Sequence, residues 1–265
     1  TCALPISKAT YNGNAIGMGL YTPNGHNWHI FHTHLGMAAL AIEGEEGYDK
    51  RVTDWSVDNL KTYFTYSIYE SGTPNERQGK GTMNPTFCIP YQKRGYNMLT
   101  MPNIYNTAAG YELNMMEPWG TVMVYGAWGG SGIPFTKWIE NNSVLKYAFP
   151  KDPVIDFIWR RSAGDDYSGL KDDTKVSFHY ADYEKLLMLA IFAEDYDSKL
   201  PSWEEQYKSL DKPLSWFCPQ RALMIARSDY TTNALQLYLH CQQYYSAHPR
   251  FGRGNFQLNG LGRPW

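Results

Sequence analysis

The stretch opening at Asn27-Trp28-His29 and continuing through His32 and His34 gathers three imidazoles within six residues. On a helix, His29 and His32 stand one turn apart on one face, so both can look into one cleft. Asn27, at the head of this stretch, also suits a helix cap whose side chain accepts a hydrogen bond from a free backbone N–H. Asp165-Asp166 and Asp172-Asp173 have the residue types of paired glycosidase carboxylates. They sit in polar sequence around Gly169 and read as solvated loop. No Gly-x-x-x-x-Gly-Lys-Ser/Thr, Gly-x-Ser-x-Gly or His-Glu-x-x-His pattern occurs, so a phosphate loop, a nucleophile elbow and a helical zinc-protease site are excluded. Cys2, Cys88, Cys218 and Cys241 are widely spaced without a Cys-x-x-Cys. That leaves two disulfides and four thiols equally open.

The elements that must position these groups belong to a 265-residue chain that is 43% hydrophobic and 19% charged, enough for one large domain or two smaller ones with a real core. A net charge of −2 excludes a broad electrostatic grip on nucleic acid, and no apolar run is long enough to span a membrane. The 21 Tyr, 9 Trp and 11 Phe suit an extracellular or carbohydrate-handling protein, because Tyr and Trp offer a flat apolar face with a polar tip. The Asn141-Asn142-Ser143 sequon points the same way. The chain starts at Thr1 without an initiator Met or signal-like segment and stops on a strand-like segment at Trp265. Both ends read as cut from a longer chain.

Residues 1–26 read as loop. Trp28, Phe31, Leu35, Ala38, Ala39 and Ile42 recur at helical spacing until Gly44 and Gly47. A second helix is expected from Asp54, as N-cap, through Ile68, followed by a long functional loop over 71–85. Residues 86–135 read as short helices and irregular segments. Further helices are expected at Phe135–Glu140, Pro153–Arg161 and Tyr180–Ala193. The period then changes, and Ala222–Ala226, Ala234–Leu239 and Asn255–Leu258 read as strands. Helices first and strands last predict an α+β fold: a helical domain over 1–195, a linker over 196–213 holding Pro201 and Pro213, and a β portion over 214–265.

Three pieces of this pattern carry a resemblance. They are Asn27-Trp28-His29 with the helix running to Ile42, Ala226-Arg227-Ser228-Asp229-Tyr230, and His248-Pro-Arg-Phe-Gly-Arg253-Gly254-Asn255-Phe256 with Leu261-Gly262-Arg263. Together they resemble the heparinase II/III-like polysaccharide lyases. The resemblance implies an incomplete α/α toroid followed by the start of an antiparallel β-sandwich, truncated in this chain, which other chains would complete.

It also implies β-elimination on an acidic, uronate-containing polysaccharide. Such chemistry needs the uronate carboxylate neutralised by a hydrogen-bonding side chain, a base for the C5 proton, and an acid for the leaving oxygen. By the resemblance Asn27 is the neutraliser, His29 its helper and His248 the sandwich histidine; Trp28, Arg253 and Trp128, the last beside the glycine-rich stretch 129–132, are the expected sugar contacts. Where the family places a Tyr in a Gly-Tyr-Gly-like stretch, this chain has Gly79-Lys80-Gly81. Lys80 is therefore a candidate base, with Tyr69 and Tyr91 flanking the loop as substitutes. Gly252 replaces the usual Asp before Arg253, and a zinc site needs three or four ligands; His248 alone stands secure, beside His240, Asp229 and His179. No cofactor and no metal are expected. The expected protein is secreted. Two alternatives stand beside the lyase: a non-catalytic, glycan-binding relative of the fold in an extracellular assembly, and a glycoside hydrolase on an α/α toroid. Lys80, Arg94, Arg160, Arg161 and Arg253 are the cations available to a cleft for a polyanion.

Overall fold

The computed structural model describes residues 10–11, 14–15, 26–74, 88–119, 121–122, 133–134, 139–163, 203–231, 233–241 and 254–265. Two short antiparallel pairs, β1 (Thr10–Tyr11) with β2 (Asn14–Ala15) and β3 (Thr121–Val122) with β4 (Ile133–Pro134), accompany a helical layer and a C-terminal sheet.

Helix α1 spans His26–Ala41 and α2 spans Lys50–Ser67. Between them Gly44 (φ 92°) and Gly47 (φ 90°) take left-handed conformations that stop α1. The N-cap of α2 is Asp49, whose side chain accepts from Arg51 N. This corrects the expectation of Asp54, which lies one turn inside α2 and instead receives Lys50 Nζ (2.5 Å) and Tyr96 Oη (2.7 Å). The buried stripe of α2 (Thr53, Ser56, Val57, Leu60, Tyr63, Phe64, Ser67) has helical spacing and faces α1 and the core. The short turn folds α2 back on α1, and His32 meets Trp55 edge-on at 4.8 Å between ring centres. The first turn of α1 therefore lies at the end of the pair where α2 finishes.

Helix α3 (Cys88–Lys93) seats Tyr91 in the core, and α4 (Pro102–Asn106) begins with a proline, whose missing N–H is harmless in a first turn. α4 runs directly into π-helical turns at Thr107–Glu112 and then α5 (Leu113–Met115). Helices α6 (Ile139–Ala148) and α7 (Pro153–Ala163) pack together, with Trp159 Nε1 donating to Ser143 Oγ at 3.0 Å. The first of these overlaps the expected Phe135–Glu140 at 139–140 and continues to Ala148, while 135–138 lie outside the described residues. Asp152 caps α7 by accepting from Val154 N and Ile155 N at 2.9 and 3.0 Å. The sequon lies within α6, and its Ser143 is buried under Trp159, so that triplet belongs to helix packing. The expected helix 180–193 lies outside the described residues. Helix α8 (Trp203–Ser209) stands within the segment expected to be linker and sets Tyr207 edge-on to Phe157 at 5.1 Å.

The sheet is a five-stranded antiparallel meander: β5 (Ser215–Cys218), β6 (Leu223–Arg227), β7 (Gln236–His240), β8 (Asn255–Gly260) and β9 (Arg263–Pro264). The fold is thus α+β, with three of these strands where the period of two placed them. β5 was not anticipated, because four residues are too few to establish an alternation.

Alternate residues of β6 and β7 are buried, so the inner face carries Leu223, Ile225, Arg227, Gln236, Tyr238 and His240. At one end of this face Arg227, Gln236 and Asn259 form a cross-strand row. Arg227 Nη2 donates to the Asn114 carbonyl at 2.9 Å, and Gln236 Nε2 to the Met116 carbonyl at 2.9 Å. Asn259 and Gln257 both donate to the buried carboxylate of Glu117. These bonds satisfy the carbonyls at the end of α5, which the helix itself leaves without partners, and fix the sheet on the helical layer. Tyr207 and Tyr230 stack at 3.8 Å, with the Arg227 guanidinium over both rings. Part of the aromatic content builds the core: Trp159, Tyr63, Tyr91, Tyr111, Tyr207, Phe64 and Phe157 are among the largest fully buried side chains, whereas Tyr66, Phe217, Phe256 and Trp265 are exposed. Of the cysteines described, Cys88, Cys218 and Cys241 are free thiols.

Candidate functional site

The candidate site lies at the other end of the sheet's inner face, where the sheet meets the loop following α2. That loop is held tightly. Tyr69 N donates to the Thr73 carbonyl (3.0 Å), Gly72 N to the Tyr69 carbonyl (2.8 Å), and Ile68 bridges Pro74. Two side chains of α4 about one turn apart pin it from outside: Asn103 Nδ2 donates to the Ile68 carbonyl at 2.8 Å and Asn106 Nδ2 to the Glu70 carbonyl at 2.7 Å. Gly72 (φ 83°) and Gly110 make the approach possible. A Cβ on Gly72 would stand 2.7 Å from Thr107 N and closer still to the Asn106 carbonyl, and a Cβ on Gly110 would strike the Ser71 carbonyl. Loop 69–74 thus rests backbone-on-backbone against the start of the π-helical turns.

Tyr69 is half-buried, and the sheet supplies its neighbours. Cys218 ends β5, a single 3-10 turn (Pro219–Arg221) follows, and Ala222 adopts a left-handed φ of 44° before β6 begins. A left-handed non-glycine residue is strained and marks a place where the surroundings dictate the backbone; here the conformation leaves Arg221 buried, at 3% exposure. Arg221 is an electrostatic neighbour of both Tyr69 and His240, which is 5% exposed at the end of β7. Burial raises the Tyr69 phenol above its ordinary value, opposed by the Arg221 cation. Burial, reinforced by Arg221, lowers His240 to about 4. At neutral pH this end of the sheet therefore holds a protonated phenol, a cation and a neutral imidazole. That set can donate a proton, stabilise the phenolate left behind and accept a hydrogen bond.

Of the expected site residues, Tyr69 is in this cluster. Asn27, Trp28 and His29 fall on the first turn of α1, with Asn27 second in the helix, at the end of the α1–α2 pair from which Tyr69 emerges; their side chains lie outside what the structure describes. Lys80, Trp128, His248 and Arg253 also lie outside the described residues. Tyr91, the other flanking tyrosine, is committed to the core: it is fully buried, its hydroxyl donates to the Thr33 carbonyl, and it closes against Gly36. His32 is a packed core histidine, lowered to about 4 by burial against Trp55. Two of the cations offered for a polyanion cleft are engaged elsewhere: Arg94 with Glu43, and Arg160 with Asp156 at 2.7 Å. Among the described residues no cluster of three or more metal-ligating side chains occurs, and no helix is long and apolar enough to cross a membrane.

Arg221 was not singled out from the sequence, and His240 was named there only beside His248 as a metal-ligand candidate. The alternation Gln236-x-Tyr238-x-His240 does assign His240 to the same face as Tyr238. No local pattern marks Arg221, whose position depends on the strained turn at Ala222.

No family model matches the chain, and no curated protein matches it. Solved structures do. The heparan sulfate lyase HepC from Pedobacter heparinus superposes with a TM-score of 0.56 at 12% identity, and a heparinase III with 0.55 at 12%. In both cases the likeness covers 92% of this chain and 32% of that one, so the chain spans about a third of the length of these neighbours. At this identity the likeness is one of fold: the chain has the fold of a distant, lyase-like relative.

Proposed function

We propose that the protein is polysaccharide lyase-like and handles an acidic, uronate-containing polysaccharide by β-elimination. Its helical layer is then an incomplete α/α toroid, and its sheet the first layer of an antiparallel sandwich that other chains complete. Its place of action is outside the cell. The observation that carries the reading is the convergence, on a lyase-like fold, of the loop bearing Tyr69 with Arg221 and His240 at the junction of helices and sheet.

In this mechanism Asn27 hydrogen-bonds the uronate carboxylate, which acidifies the C5 proton, and His29 accepts that proton. The electron pair of the C5–H bond forms the C4=C5 double bond as the C4–O bond breaks. Tyr69, held protonated by burial, gives its proton to the leaving oxygen, and the Arg221 cation behind it stabilises the phenolate until solvent restores the proton. Lys80 and His248 are further proton-handling candidates from the same resemblance, and Trp28, Trp128 and Arg253 bind sugar.

Mass analysis of the fragments tests the reaction type. Elimination gives products lighter by one water than those of hydrolysis, with the unsaturation on the new non-reducing end. Hydrolytic fragments would place the protein among glycoside hydrolases, and intact polymer bound without cleavage would make it a glycan-binding relative of the fold.

A further inference from the structure

Glu112, the last residue of the π-helical turns, has no place in the chemistry above and is one of the most deeply buried groups in the protein, with 0% exposure. Its polar neighbour is the amide of Asn142 on α6, itself 1% exposed. Among the described residues, neither carboxyl oxygen of Glu112 and neither amide atom of Asn142 makes a hydrogen bond of ordinary geometry. Among the described residues its electrostatic surroundings are set by burial and by Asn142, with no cation among them. Lys146, one turn along α6 from Asn142, is bound to Asp156 and the Pro150 carbonyl, and Arg160 of α7 is bound to the same Asp156. A carboxylate in such surroundings is strongly disfavoured, so the group is held as the neutral acid.

Its position gives that protonation a consequence. Glu112 lies two residues past Gly110, whose Cα rests against the Ser71 carbonyl, and one residue past Tyr111, whose ring lies 6.4 Å from that of Trp216 on β5. The same π-helical turns thus support the Tyr69 loop on one side and the sheet on the other. π-Helical turns are uncommon and recur at functional sites.

We propose that Glu112 is a positioning residue for Tyr69: kept neutral, it seats the π-helical turns against loop 69–74, and its ionisation unseats that loop. This deepens the lyase reading and rests on it for the link to activity, whereas the link to structure stands alone. Because folding raises the affinity of Glu112 for its proton, the seated state is fully favoured below the ordinary carboxylate value and loses ground as pH rises toward the folded value.

The test is hydrogen exchange of the peptide covering 69–74, compared at each pH from about 5 to 9 between the wild type and Glu112→Gln, which keeps the shape and cannot ionise. The expected result is a wild-type protection, relative to Glu112→Gln, that falls by up to about tenfold per pH unit across the titration, confined to 69–74 and 107–115. Equal protection in the two proteins at every pH overturns the proposal, as does a loss spread evenly over all helices, which would make Glu112 a general stability group. The wild-type series is readable even if the variant folds poorly, since local loss at 69–74 must precede loss elsewhere. Where turnover is measured, the alkaline limb of kcat should move upward in Glu112→Gln. Absence of turnover with the exchange result intact would overturn the lyase reading and leave the positioning role standing.

Discussion

Replacing Gly72 with alanine perturbs the seat of the Tyr69 loop at one methyl group. Two costs arise. At φ 83° a side chain is strained, at about 1–2 kcal/mol. The new Cβ would also meet the backbone of Asn106 and Thr107, which cannot rotate away as a side chain would; relieving such overpacking costs a further ~1–3 kcal/mol. Gly44→Ala separates the two, because Gly44 has a similar φ of 92° but nothing within 4 Å of its Cβ position. The difference between the variants, about 2 kcal/mol, is the clash alone, and for a chain of this size it corresponds to a melting temperature roughly 4–8 °C lower for Gly72→Ala. The loop must shift by an ångström or more to escape, and a displacement of that size at a reacting group costs roughly 10²-fold in rate. The assay is thermal unfolding of both variants followed by elimination kinetics. Equal melting temperatures for the two, or full activity in Gly72→Ala, would show that the loop is not seated on the π-helical turns as described.

Other perturbations follow from the same geometry. Gly36→Ala places a Cβ 2.9 Å from Ser56 Cβ and nearer still to Tyr91 Oη; adding Tyr91→Phe should recover part of the loss, a coupling of about 1 kcal/mol or more in a double-mutant cycle read by denaturant unfolding. Arg227→Met removes two bonds to buried carbonyls while keeping the stem, and unfolding should show a loss of about 3 kcal/mol. For pH, His32 and His240 have folded values near 4 against an ordinary 6.5, so the stability they lend is whole above 6.5 and is lost as pH falls toward 4. Glu112 acts oppositely, its contribution falling as pH rises above 4.5. Two groups outweigh one between 4.5 and 6.5, so the melting temperature should rise with pH across that range; His240→Asn should flatten the rise, and a curve unchanged by it would contradict the burial argument.

Period and turn chemistry carried the larger elements. α1, α2, α7 and the strands β6, β7 and β8 appear where apolar spacing placed them, because each buries one stripe or face in a continuous core. Boundaries that depend on a single polar contact were less legible: Asp49 and Asp54 both precede helical sequence, and only Asp49 stands before a first turn with free N–H groups to accept from. Of the site, Tyr69 was visible through its place after α2. Arg221 acquires meaning only when the turn at Ala222 directs it inward. Glu112 looks in sequence like any helical glutamate, and what sets it apart is its burial among side chains distant along the chain.

The most direct test of the account is near-ultraviolet absorbance during incubation of the protein with alginate, heparan sulfate, chondroitin sulfate and hyaluronan, run beside Tyr69→Phe and Asn27→Ala. The account predicts a rising signal from the unsaturated uronate on at least one polymer, and its loss in both variants while their folds are retained. A rise that survives Tyr69→Phe undiminished, or silence on all four polymers from folded protein, would contradict it.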